Sequence, residues 1–173
     1  MATDIQVVDR IPRMARRQAA DPHLRLEGAV SRERSLQPAD LDGLPRIEFT
    51  GGMTCNEAGR KPDRHWTGIP LRALMELSGA DPDIRYINVS SGPYGAAVGI
   101  DRADDVLLAD LVDGAPITVE QGGPWRLIIP EGRNYDSVKW VDTIEFSRDT
   151  PNLASERISQ ARTRAREKRA SST

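Results

Sequence analysis

The chain has 173 residues, 29% of them charged and 5% aromatic, and a net charge of −2. That length supports one domain with its own core, and no stretch approaches the ~20 consecutive apolar residues a membrane helix needs, so no membrane insertion is expected. Charge is unevenly spread, with +2 in residues 1–20, +4 in residues 151–173 and −8 between them, and an acidic body excludes the usual electrostatic footprint of a nucleic-acid binder.

Residues 1–22 show no clear period and read as a flexible N-terminal arm. Arg16-Arg17 is not followed by an apolar run, so the start does not read as an export signal and the expected compartment is the cytoplasm. The body spans residues 23–150. LRLEGAV alternates apolar and polar residues as a half-buried strand does. SLQPADLDGLP predicts a short helix closed by Gly43 and Pro45, and RIEFT predicts the next strand. In TGIPLRALMELSGA, Pro70 suits a first helical turn, Leu71, Leu74, Met75 and Ser78 share one face, and Gly79 supplies the stop. RYINVS and YGAAVGI predict strands, and DRADDVLLADLVDG a short helix followed by a strand or turn. APITVEQGGPWRLIIP predicts two extended runs around a Gln-Gly-Gly-Pro turn, and SVKWVDTIEF closes the body. Residues 151–173 hold good helix formers with almost no apolar face, which predicts a basic helix or tail. Strands outnumber helices without alternating regularly with them. The expected class is therefore α+β with a mixed sheet in a single domain. Phosphate-loop and dinucleotide fingerprints are absent.

The stretch FTGGMTCNEAGRK holds Cys55, the only cysteine. An internal disulfide is excluded, and His23 and His65 lack the spacing of a zinc site. Cys55 falls where a strand runs into a glycine-containing loop, followed by Arg60, Lys61 and Arg64, whose charges favour a thiolate. Three roles are open to it: a small buried hydrophobe, a nucleophile with His65 as base, or the single protein sulfur on a metal already chelated by a cofactor. The third role needs a pocket for a large anionic group. PEGRNYDSVKW suits that need: Gly132 and Asn134 permit unusual backbone angles, and Arg133, Tyr135, Ser137 and Lys139 carry donors suited to a phosphate.

Taken in order, these segments resemble the molybdopterin-binding domain of the sulfite oxidase family. LRLEGAV with LQPADLDGLP is similar to the family's opening strand and helix. MTCNEAGR resembles its cysteine loop, and HWTGIPLRALMELSG the helix entry that follows. PYGAAVGI, DGAPITVEQGGPWRLIIP and SVKWVDTIEF resemble its later strands. The likeness covers roughly residues 24–148.

The resemblance implies a molybdenum–molybdopterin cofactor with Cys55 as the thiolate ligand to the metal. It implies a substrate-site and catalytic role for Tyr94 and Arg60, and places Glu57 at a position shared with the sulfoxide-reductase branch. Ser137 and Lys139 match cofactor-contacting positions, with Arg133, Asn134 and Tyr135 as inferred neighbours; Trp66 and Trp140 are read as packing residues. Asp136 stands where relatives commonly carry a cation. The implied activity is oxygen-atom transfer on a small oxyanion such as sulfite, with S-oxide reduction as the alternative within the enzyme class and a cofactor-free binding module as the alternative outside it. Electrons would pass to an external carrier, a cytochrome or haem subunit.

Overall fold

In the computed structural model, residues 11–55 and 59–172 are described. A helix, α1 (Arg13–Ala20), is followed by strands β1 (Leu24–Gly28) and β2 (Arg34–Leu36), a 3-10 turn (Pro38–Leu41), and β3 (Ile47–Gly51). The two-residue strands β4 (Thr54–Cys55) and β5 (Gly59–Arg60) come next, then β6 (Arg64–Pro70) and α2 (Leu71–Ser78). The chain continues through β7 (Tyr86–Ser91), β8 (Tyr94–Gly99), β9 (Leu107–Val112), β10 (Ala115–Pro116) and β11 (Arg126–Ile128). A 3-10 turn (Asn134–Asp136), β12 (Thr143–Ser147) and α3 (Ala154–Ala170) complete it.

Among the described residues the strands form two five-stranded sheets and one small hairpin. The first sheet runs β2-β1-β12-β7-β8, with β1 and β12 parallel and the other neighbours antiparallel. Its parallel pair joins the start of the body to its end, Arg25 opposite Thr143 and Leu26 opposite Ile144. In the second sheet β6 lies between β3 and β9, and β10 and β11 both pair with β9. The fold is thus α+β with a mixed sheet, and no helix among the described residues is long and apolar enough to cross a membrane.

Alternation places the core. Leu24 and Leu26 on β1 are fully buried while Arg25 between them is exposed, as the two-residue period of a strand requires. On α2, Leu71, Leu74, Met75 and Ser78 are all buried, and Gly79 ends the helix in the left-handed conformation at φ 61°. Each fully buried leucine contributes about 1.5–3 kcal/mol relative to exposure. Together with Ile87, Val89, Ile144 and Phe146 they fill the space between α2 and the first sheet.

Four local expectations differ from what forms. Residues 13–20, expected within a flexible arm, make α1; Ala15 and Gln18 are buried. The Gln18 amide holds the helix down by donating to Val141 O and His23 O, both at 2.7 Å. Residues 1–10 of the expected arm lie outside the described residues. The helix expected in SLQPADLDGLP shortens to one 3-10 turn, where the Gln37 N–H donates to Asp40 Oδ2 at 2.8 Å. The two extended runs around Gln-Gly-Gly-Pro do not pair with each other, because both use the same edge of β9. Finally, SVKWVDTIEF is strand only from Thr143. Trp140 sits at φ 55°, its backbone N–H donating to Gly122 O at 2.8 Å and its indole to Val119 O at 2.6 Å.

Candidate cofactor and substrate cavity

A cavity of about 940 Å³ opens where α1, the start of β8, β11, the Asn134–Asp136 turn and α3 converge. It falls within the ~300–1,000 Å³ range of small-molecule and cofactor sites. Tyr94, Asn134, Tyr135, Ser137 and Lys139 line it. Five residues selected from two separated sequence segments therefore meet in one place. Arg133 lines a neighbouring cavity of about 370 Å³ instead. There its guanidinium donates to the Tyr135 hydroxyl and lies 5.7 Å from that ring's centroid.

Arg126, which the sequence reading left inside an ordinary extended run, dominates the inner wall. It is 7% exposed, the first residue of β11, between the buried Trp125 and Leu127. Its Nε donates to Ser137 Oγ and its Nη1 to Gln121 O, each at 2.9 Å. Its guanidinium stacks 5.4 Å from the centroid of Trp66. Ser137 Oγ in turn donates to Leu127 O at 2.9 Å, so that hydroxyl fixes the orientation of Arg126. Burial, and then the nearby Arg64 charge, push the Arg126 pKa down to about 10. No described carboxylate pairs with it. A buried guanidinium without a counter-charge is costly unless something anionic joins it. The signal was available: a single arginine within the apolar run WRLIIP.

Lys139 adds a second cation. Its pKa is lowered first by burial, then by Arg126 and Lys61. The lysine stem lies across Gly122, where φ is 103° and an added Cβ would stand 2.6 Å from Lys139 Cγ. Glycine is required there both by the backbone angle and by the close approach of that stem. Two polar atoms on the cavity wall are buried without a partner among the described residues, Ser91 Oγ and Asn134 Oδ1. Buried polar atoms are rarely left unpaired, so both are suited to hydrogen-bonding a ligand.

On the outer side, the half-buried Tyr94 hydroxyl donates to Tyr135 O. Burial, then the nearby Asp136 charge, raise its pKa, so it stays protonated and able to donate. Asp136, at the position where a cation was expected, accepts a hydrogen bond from Ser155 Oγ on α3 at 2.9 Å. It ties the turn to the C-terminal helix.

The backbone of the cysteine segment lies beside a turn that lines this cavity. Thr54 pairs with Arg60 and Cys55 with Gly59, and β4 lies against the Asn134–Asp136 turn. Gly52 lets the two arms of this hairpin close on each other, since a Cβ there would stand 2.2 Å from Lys61 O. Glu57 lies outside the described residues, as do the side chains of Cys55 and Arg60. His65, the base of the alternative nucleophile reading, is on the second sheet; its Nδ1 is 2.8 Å from Thr50 Oγ1 and its Nε2 3.6 Å from Glu48. Arg64 is paired with Asp113 at 2.5 Å.

Residues 11–153 match the family model of the oxidoreductase molybdopterin binding domain. The chain belongs to that family. It is a molybdopterin-binding domain of the sulfite oxidase type. Over 73% of its length it is 25% identical to the uncharacterized oxidoreductase YuiH of Bacillus subtilis. Over 72% it is 24% identical to the mitochondrial sulfite oxidase of Drosophila melanogaster. These matches span 66% and 27% of the two relatives. The fold is similar to that of the sulfane dehydrogenase SoxCD from Paracoccus pantotrophus, with a TM-score of 0.68 and 22% identity, covering 78% of this chain and 40% of that one.

The residues present in this molybdopterin-binding domain fit the group that the family implies. Arg126 and Lys139 supply positive charge for a phosphate, with no carboxylate paired to either among the described residues. Asn134 Oδ1 and Ser91 Oγ are orphaned polar atoms on the same wall. Trp66, read as packing alone, is buried and also supports the guanidinium from one side.

Proposed function

We propose that this domain holds a molybdenum–molybdopterin group and catalyses oxygen-atom transfer on a small oxyanion such as sulfite, passing electrons to a separate carrier. One observation carries the reading: Arg126 and Lys139 are withdrawn from water into the wall of a cofactor-sized cavity with no described carboxylate to neutralise them. An anionic ligand converts that cost into binding.

When bound, the molybdenum group supplies the exchangeable oxygen and takes up the two electrons of the reaction. Cys55 would hold the metal through its sulfur, a soft ligand suited to it. Arg126 and Lys139 would hold the phosphate. Ser137 keeps Arg126 in place, and Asn134 and Ser91 would hydrogen-bond polar atoms of the cofactor. Tyr94 offers a hydroxyl on the outer side, and Arg60, five residues after the cysteine, would add charge for the oxyanion.

Metal and pterin content of the chain purified from a molybdenum-replete host tests this. The expected result is one molybdenum per chain, lost in Cys55→Ser, with an electron paramagnetic resonance signal after partial reduction. Sulfite should then reduce an added one-electron acceptor. Protein that stays free of molybdenum and pterin in a host competent to make the cofactor overturns the proposal and favours a binding module. Loaded protein that reduces sulfoxides but ignores sulfite overturns the choice of substrate.

A further inference from the structure

The Asn134–Asp136 turn is held from three directions. The Tyr94 hydroxyl on β8 donates to Tyr135 O. Ser137, which follows the turn, accepts from Arg126 Nε and donates to Leu127 O on β11, both at 2.9 Å. From the third side, Ser155 Oγ on α3 donates to Asp136 Oδ1 at 2.9 Å. Ser155 is buried and Asp136 half-buried. The turn also carries Asn134 Oδ1, buried without a partner among the described residues, and the cysteine strand β4 lies against it.

Ser155 takes its place from the first sheet. Asn88 on β7 is 3% exposed. Its Nδ2 donates to Thr150 O at 2.8 Å and to Glu145 Oε2 at 3.0 Å, and its Oδ1 accepts from Asn152 N–H at 2.8 Å. Gly95 on β8 leaves room for the Asn152 amide, since a Cβ there would stand 2.2 Å from Asn152 Nδ2. Asn152 Oδ1 then accepts from Ala154 N–H at 3.1 Å, at the first residue of α3. The sheet thus fixes Ser155, and Ser155 in turn fixes Asp136.

Neither Asp136 nor Ser155 lines either cavity, so any effect on a ligand runs through the turn. A hydrogen bond to an ionised carboxylate is roughly twice as strong as a neutral one. Burial raises the Asp136 pKa, and the Ser155 bond, then the Arg133 charge, oppose that rise. The family match ends at residue 153, and α3 starts at Ala154. The third support of the turn therefore comes from outside the matched domain.

We propose that Asp136 and Ser155 form a positioning pair, through which α3 holds the turn where Asn134 and the Ser137-bound Arg126 meet the cofactor. The proposal rests on the cofactor reading of the cavity given above and adds to it a helix beyond the matched domain.

A double-mutant cycle on the full-length chain tests the pair. Asp136→Ala, Ser155→Ala and the double variant are compared with wild type and with Asp136→Asn, whose amide oxygen still accepts the Ser155 proton. One readout is the rate at which loaded protein loses molybdenum and pterin on dialysis. The other is the affinity of the cofactor-free chain for inorganic phosphate, by calorimetry. Each single alanine variant should release the cofactor about tenfold faster and bind phosphate about tenfold more weakly. The double variant should do no worse than the weaker single, since the two residues act through one bond. Asp136→Asn should recover most of both losses. A silent Ser155→Ala, losses that multiply in the double variant, or no recovery in Asp136→Asn overturns the pair; the last result would make Asp136 a charge acting on Arg133. A fall in urea stability with phosphate affinity unchanged also overturns it, because that marks a strut. Loaded protein whose cofactor release is the same in every variant removes the pair and leaves the proposed function standing. Coupled losses of phosphate affinity in a chain that never acquires molybdenum uphold the pair and remove the molybdenum reading.

Discussion

Replacing Arg126 with methionine separates a binding residue from a structural one. The drop of its pKa to about 10, at about 1.4 kcal/mol per pKa unit, means that holding this charge in the ligand-free fold costs ~3 kcal/mol. Methionine removes that cost and keeps an apolar stem against Trp66. It also loses the bond to Gln121 O, leaving that carbonyl short of a donor at a cost of about 1–2 kcal/mol, and the stacked cation on Trp66, worth about 0.5–2 kcal/mol. Ser137 retains its own bond to Leu127 O. These terms nearly cancel, so urea unfolding of cofactor-free Arg126→Met should give a stability within about 1 kcal/mol of wild type. Removing one partner of a buried ion pair would instead cost about 3–5 kcal/mol. Cofactor retention should behave differently: molybdenum and pterin content should fall at least about tenfold, since one charged contact to an anion exceeds 1.4 kcal/mol. A loss of more than about 3 kcal/mol in the cofactor-free variant, with normal loading after folding, would refute the reasoning and make Arg126 a strut.

Lys139 gives a pH signature. Its folded pKa lies below the unfolded value, so in the alkaline range the unfolded chain binds more protons and Lys139 contributes rising stability as pH increases. Affinity for inorganic phosphate should move the other way, falling as the cavity loses charge. Lys139→Met should flatten both trends relative to wild type, measured by urea midpoints and by calorimetry across a pH series. Gly122→Ala places a Cβ against the Lys139 stem at a φ of 103°; a stability loss of about 1 kcal/mol or more with reduced cofactor loading is expected. Tyr94→Phe and Arg60→Gln should each lower turnover with molybdenum content intact, and unchanged kinetics in both would remove them from the substrate site.

Several features were legible in the order of residues alone because they depend on neighbours in the chain. Alternation in LRLEGAV and RIEFT marks strands with one buried face, and the spacing of Leu71, Leu74, Met75 and Ser78 marks the buried stripe of α2; all four residues are buried. The motif series from LRLEGAV to SVKWVDTIEF pointed to the molybdopterin-binding family, which the family match over residues 11–153 establishes. Asn134, Tyr135, Ser137 and Lys139 line one cavity together with the distant Tyr94.

Other features belong to the tertiary structure, since they arise between segments far apart in the chain. Arg126 reads locally as one polar residue in a strand; only the convergence of β11, Trp66 and the Ser137 segment buries it, with no counter-charge among the described residues. Asp136 reads as a misplaced charge in a phosphate loop, yet folding turns it toward Ser155. The terminal segments are low in apolar periodicity and read as a flexible arm and a basic helix or tail. Gln18 docks one through backbone carbonyls that exist as acceptors only once residues 23 and 141 are in place, and Asp136 and Asn88 anchor the other. Periodicity records burial of apolar faces. It carries no record of polar contacts made across the fold, and those contacts shape this cavity.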